Sequence, residues 1–142
     1  MKIIFIIHLL TSVFMAGLCW FVQVVHYPLF RHIRIDEFAA YERKNFVTGY
    51  ITIPLMVIEL GTGLWLLYTY PNLLYLLNIA FFGIIGLSTV LFQVPIHLKL
   101  INKPTIELIN KLILTNWIRT VGWSVRLVIL GIVLYGSLRP IA

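Results

Sequence analysis

Charge is scarce in this 142-residue chain: Asp, Glu, Lys and Arg together make up 11% of it, and only five residues are acidic. A soluble domain carries about 25% charged residues, so a water-facing globule is excluded. Cysteine is nearly absent, and the lone Cys19 excludes an intramolecular disulfide. No nucleophile triad, phosphate-cradling glycine-rich loop or nucleotide fingerprint occurs, which argues against hydrolase and ATP-driven chemistry. Metal-ligand spacings of the His-x-x-His, Glu-x-x-His or Cys-x-x-Cys kind are missing too. The net charge of +6 comes with neither a basic face nor an aromatic platform, so nucleic acid is not an expected partner.

What the chain has instead is apolar length. Hydrophobic residues make up 61% of it and the mean hydropathy is +0.97, and a membrane-spanning helix needs about 20 such residues. Four runs qualify, at about 3–25, 46–68, 73–98 and 112–135. The first is too long for a signal-peptide core and no small-x-small cleavage site follows it, so it reads as a span. Tyr70-Pro71-Asn72 is a turn, and Pro95 is expected to kink the third span. Short connections make consecutive spans antiparallel, which predicts an all-α, up-down four-helix bundle forming a single membrane domain in contact with lipid. The segments joining spans 1 to 2 and 3 to 4 hold seven basic residues, Arg31, Arg34, Arg43, Lys44, Lys99, Lys103 and Lys111, against Lys2 and Arg139 on the other side. That asymmetry predicts a cytoplasmic-membrane protein with both termini extracytoplasmic. A short interfacial helix is expected around Asp36–Tyr41.

The polar residues fall into stripes. At 100° per residue His8, Ser12, Met15, Cys19, Gln23 and His26 share one face of the first span. Tyr41, Asn45, Gly49, Thr52, Met56, Glu59 and Gly63 share one face of the second. Asn78, Gly86, Thr89, Gln93 and His97 form a looser stripe in the third, and Asn116, Arg119, Trp123 and Arg126 one in the fourth. Lipid satisfies none of these groups, so the stripes must face inward. By the helical rise of about 1.5 Å per residue, Glu59 and Arg126 lie near the midplane and make a natural ion pair. Arg119 then has no carboxylate at its own depth, and is expected on Asn, Gln or Tyr groups or on a ligand oxygen. A weak internal echo accompanies this. Gln23 and His26 close the first span and Gln93 and His97 the third, and both His26 to Asn45 and His97 to Asn116 are 19 residues apart.

These residues define a candidate pocket in the cytoplasmic half. His26 and His97, on parallel-running helices at matching depth, suit proton acceptors, axial haem ligands or metal ligands. Tyr41 joins them as a catalytic candidate. Gln23, Asn45, Gln93, Asn116, Arg119 and Trp123 are candidates for binding a hydrophobic, oxygen-bearing aromatic or quinone-like molecule, with Trp117, Trp123 and Tyr41 as apolar walls. An oxidoreductase is one reading; a non-catalytic membrane subunit or lipid-binding scaffold, alone or as a homo-oligomer, is the other.

Several short motifs carry a resemblance. Val25-His26-Tyr27-Pro28, Tyr41-Glu42-Arg43, Val94-Pro95-Ile96-His97-Leu98-Lys99-Leu100, and Asn116-Trp117-Ile118-Arg119 with Arg126 together resemble the anthrone-oxygenase-like family of small four-helix membrane proteins. The resemblance implies a multi-pass fold and an oxygen-dependent oxidation of a phenolic or quinone-like aromatic. It points to His26, Tyr41, Arg43, Asn116, Arg119 and Arg126; the chain departs from the family at His97, where Asn is common.

Overall fold

Prolines and polar caps punctuate an otherwise helical chain, and they decide where each span bends. In the computed structural model, which describes residues 2–138, the first span runs as α1 (Lys2–Phe21), a π-helical turn Val22–His26, a short α2 (Tyr27–Leu29) and a 3₁₀ turn Phe30–His32. Arg139, counted above in the charge asymmetry, lies outside the described residues. Pro28 has no N–H to donate and its ring crowds the carbonyl four residues back. The widened turn immediately before it accommodates that loss. The third span repeats the device, with α5 (Leu73–Ser88), a π-helical turn Thr89–Gln93, and α6 (Val94–Asn102) carrying Pro95.

The second span is two helices. α3 (Ile35–Asn45) has Asp36 and Glu37 in its first turn and Arg43 and Lys44 in its last, each sign placed where the helix dipole favours it. It ends in a turn at Phe46–Val47, and α4 (Thr48–Thr69) continues with Pro54 inside it. The interfacial helix expected at Asp36–Tyr41 is therefore longer, and it turns Phe38 and Glu42 into the protein against α6. Asn72 caps α5, its side-chain oxygen accepting the Tyr75 N–H at 3.0 Å. α7 (Ile106–Leu138) forms the fourth span in one piece of 33 residues. At about 1.5 Å per residue it is longer than the roughly 30 Å hydrocarbon layer is thick.

The four spans are each long and apolar enough to cross a membrane. They close a ring in chain order: α1 packs on α4 and α7, and α5 on α4 and α7. Side chains such as Ile53 (63% exposed), Val57 (64%) and Leu114 (71%) point outward from the bundle, as the apolar outer face of a membrane-spanning helix does. Inside, two apolar clusters alternate with polar ones. Met15, Ala16, Cys19, Phe82, Ile85 and Trp123 fill the middle, while Tyr27, Phe30, Phe38, Ile96, Leu100, Ile109 and Leu112 fill the end nearer the basic loops. Close helix approach depends on glycine at two points. A Cβ on Gly122 would stand 2.8 Å from Ile85 Cγ1, and one on Gly63 would stand 2.6 Å from Ile79 Cδ1 and 2.9 Å from His8 Cε1.

Candidate functional site

All four spans contribute to a polar cluster in the half of the bundle nearer the termini. His8 and Ser12 come from α1, Glu59 and Thr62 from α4, Asn78 from α5 and Arg126 from α7. Arg126 is fully buried and donates from Nε and Nη2 to Asn78 Oδ1 at 3.3 and 3.1 Å. Its Nη1 lies 3.3 Å from Glu59 Oε1, an ion pair in distance but outside hydrogen-bond geometry. Ser12 donates to the same carboxylate oxygen. His8 Nε2 donates to Asn78 Oδ1 at 3.1 Å, and its Nδ1 is 2.8 Å from Thr62 Oγ1. The guanidinium is also sandwiched, its Cζ 4.4 Å from the Trp123 ring centre and 5.0 Å from that of Phe82.

A second cluster occupies the half nearer the basic loops. Glu42, fully buried on α3, accepts from His97 Nδ1 on α6. Nε2 of the same imidazole accepts the Tyr27 hydroxyl at 2.9 Å, and Gln93 Oε1 lies 3.5 Å from that hydroxyl. Gln93 donates to Thr115 Oγ1 at 2.9 Å. Beside this chain, Asn116 donates to Gln23 Oε1 at 2.9 Å, Gln23 donates to the Ile113 carbonyl, and Arg119 Nη1 donates to Asn116 Oδ1 at 3.3 Å. Two groups keep unused capacity. Glu42 Oε2 and Arg119 Nε are buried without a hydrogen-bond partner, and no described carboxylate pairs with Arg119.

The candidate residues from sequence divide between these clusters, with several corrections. Glu59 and Arg126 are brought together, but inside a six-residue network rather than as an isolated pair. His26 does not pair with His97. Its Nε2 donates to Asn45 Oδ1 at 2.9 Å, its ring stacks on Phe21, and Tyr27 occupies the space toward His97. Both His97 nitrogens are already engaged, and among the described residues no three His, Cys, Asp or Glu side chains converge on a point. The donor set therefore does not fit a bis-histidine haem or metal centre. The echo is broken too: Asn45 faces His26, whereas Asn116 faces Gln23 and Arg119 and not His97. Trp123 belongs to the Arg126 level, and Trp117 is 42% exposed on the lipid face, edge-on to Trp20, so neither walls the Arg119 site. Tyr41 is half-buried, packed on His26, Phe30 and Phe38, and borders a shallow surface depression of about 600 Å³ between His32 and Lys44.

Three residues of the second cluster were not singled out from the sequence: Thr115, Glu42 and Tyr27. Glu42 was legible in principle, as a carboxylate on the Phe38–Tyr41–Asn45 face of α3. Tyr27 was not, because the π-helical turn rotates it inward. No family model matches this chain, nor does any curated protein or solved structure.

Proposed function

We propose that the half of the bundle nearer the basic loops binds a flat, hydrophobic molecule bearing a hydroxyl or carbonyl oxygen, and that Arg119 with Asn116 holds that oxygen. The observation that carries this reading is the Arg119 guanidinium, half-buried, hydrogen-bonded to Asn116, with Nε buried and unpaired and no carboxylate among the described residues paired with its charge. A guanidinium inside a membrane bundle without an ion partner is suited to an oxygen-bearing ligand. The motifs' resemblance to the anthrone-oxygenase-like family supports a phenolic or quinone-like aromatic as the occupant. A second reading, a non-catalytic scaffold, is favoured by the way Gln23, Gln93 and Asn116 satisfy one another.

The two readings separate on one experiment. Mass spectrometry of protein solubilised from its native membrane is expected to find one retained aromatic oxygen compound, and Arg119→Leu and Asn116→Leu are each expected to lose it while the protein still inserts and folds. Both variants retaining what the wild type retains, or an empty wild type, would leave the scaffold standing.

The seven-to-two excess of basic residues supports a cytoplasmic position for the basic loops, and with them this site. A reporter active only in the cytoplasm, fused after Ala142, is expected to stay silent. A strong signal would reverse the orientation.

A further inference from the structure

We infer that Tyr27 is the residue that exchanges a proton with the bound molecule's oxygen, with the Glu42–His97 pair taking up and returning that proton. This rests on the Arg119 site proposed above. Four separate elements converge to build it: α3 supplies Glu42, α6 His97, α2 Tyr27 and α7 Arg119. Glu42 is fully buried, the His97 side chain is 13% exposed and Tyr27 4% exposed, so the chain is nearly shielded from bulk water. Glu42 accepts from Nδ1, which fixes the His97 tautomer with a bare Nε2. That Nε2 accepts the Tyr27 hydroxyl at 2.9 Å. The Tyr27 oxygen keeps its own lone pairs, and through Gln93 and Thr115 it borders the stretch of α7 where Asn116 holds Arg119. A ligand oxygen held by Arg119 therefore meets the Tyr27 oxygen.

The transfer balances without any redox partner. The ligand O–H breaks and its proton goes to the Tyr27 oxygen, while the Tyr27 O–H breaks and its proton goes to His97 Nε2. Two O–H bonds are lost, one O–H and one N–H form, and no electrons change hands. Each new charge appears beside its opposite: the ligand oxyanion beside Arg119, the imidazolium beside Glu42. In a water-poor site such placed charges stabilise the ion pair strongly. The reverse step returns a proton to an enolate or phenolate. The ligand class follows from acidity. A phenol or enol matches the phenol of Tyr27 itself, a carboxylic acid arrives already ionised, and an aliphatic alcohol is too weak an acid to release its proton. His26 stands outside the relay, because its Nε2 is committed to Asn45.

The test uses 2-naphthol, a flat hydrophobic phenol whose neutral and ionised forms absorb differently, added to the full chain in lipid nanodiscs at neutral pH. Wild type is expected to bind it and to hold a clear fraction as naphtholate. Tyr27→Phe keeps the ring and its packing. It is expected to bind within about threefold of wild type while the naphtholate fraction falls about tenfold, the scale of one hydrogen bond to a charged group. His97→Gln reads the same proton from the other end and is expected to show the same split, which keeps the test decisive if Tyr27→Phe does not fold. Arg119→Leu is expected to lose affinity instead. A naphtholate fraction unchanged in Tyr27→Phe, or in His97→Gln where only that variant folds, would overturn the relay, and so would wild type binding only neutral naphthol. A wild type that binds no naphthol would overturn the underlying site and the relay with it.

Discussion

Arg126→Leu is expected to be the most destabilising single substitution in this chain, lowering thermal stability in detergent by the equivalent of about 3–5 kcal/mol, the cost of removing one partner of a buried charge pair. The reason is the number of groups left behind. Glu59 would remain fully buried with only Ser12 to hold it, Asn78 Oδ1 would lose both guanidinium donors, and the Trp123 and Phe82 rings would lose the cation between them. Glu59→Gln is expected to lose less, because an amide still offers an oxygen to Ser12 and to Arg126. The combination of the two is expected to recover part of the loss, with an interaction of about 0.5–3 kcal/mol as contacting residues show. Thermal melts of the four proteins measure it. Strictly additive losses would mean that Glu59 and Arg126 are near but not coupled.

Gly63→Ala is expected to be the next largest effect, about 1–3 kcal/mol, the range for forcing extra volume into a packed interior. The added methyl would stand 2.6 Å from Ile79 Cδ1 and 2.9 Å from His8 Cε1. Ile79 can swing its terminal methyl away. His8 cannot yield without stretching its bonds to Thr62 and Asn78, so the polar cluster absorbs the strain. Gly61→Ala, on the same helix with open space around it, is the control and is expected to leave the melting temperature unchanged or slightly raised. Equal losses at the two positions would show that helix flexibility, and not contact with His8, is what glycine supplies.

The fold was legible because lipid enforces a simple rule. Four runs of apolar residues, separated by a Pro-Asn turn and two basic segments, admit little besides four antiparallel helices. Half of the polar interior was legible for the same reason: His8, Ser12, Glu59 and Arg126 sit on regular helix, and a projection at 100° per residue places them on the inward face where they are buried. In the other half Gln23, Gln93, His97, Asn116 and Arg119 were legible too, but their partners were obscured by the π-helical turns. One extra residue in a turn retards the helical face by roughly 100°, one full residue step. Past Val22–His26 the inward position therefore passes from His26 to Tyr27, which is buried while His26 is only half-buried. Nothing in the local composition announces such a turn beyond the proline that follows it. Glu42 was hidden differently, by the basic residues around it, which made a buried carboxylate look like one more solvated charge on an interfacial helix.

The Arg126–Glu59 contact also bears on how the chain enters the bilayer during synthesis. On insertion scales each arginine near the centre of a helix opposes partitioning by about 2.5–3.5 kcal/mol, and the fourth span carries two of them. Leaving the ribosome after the other three, that helix enters a membrane where Glu59 of the second span and Asn78 of the third are already in place to receive Arg126. Its entry is thereby an assembly step, in which the earlier helices act as an internal template for the fourth, and the order of the spans along the gene becomes part of what makes the final topology attainable.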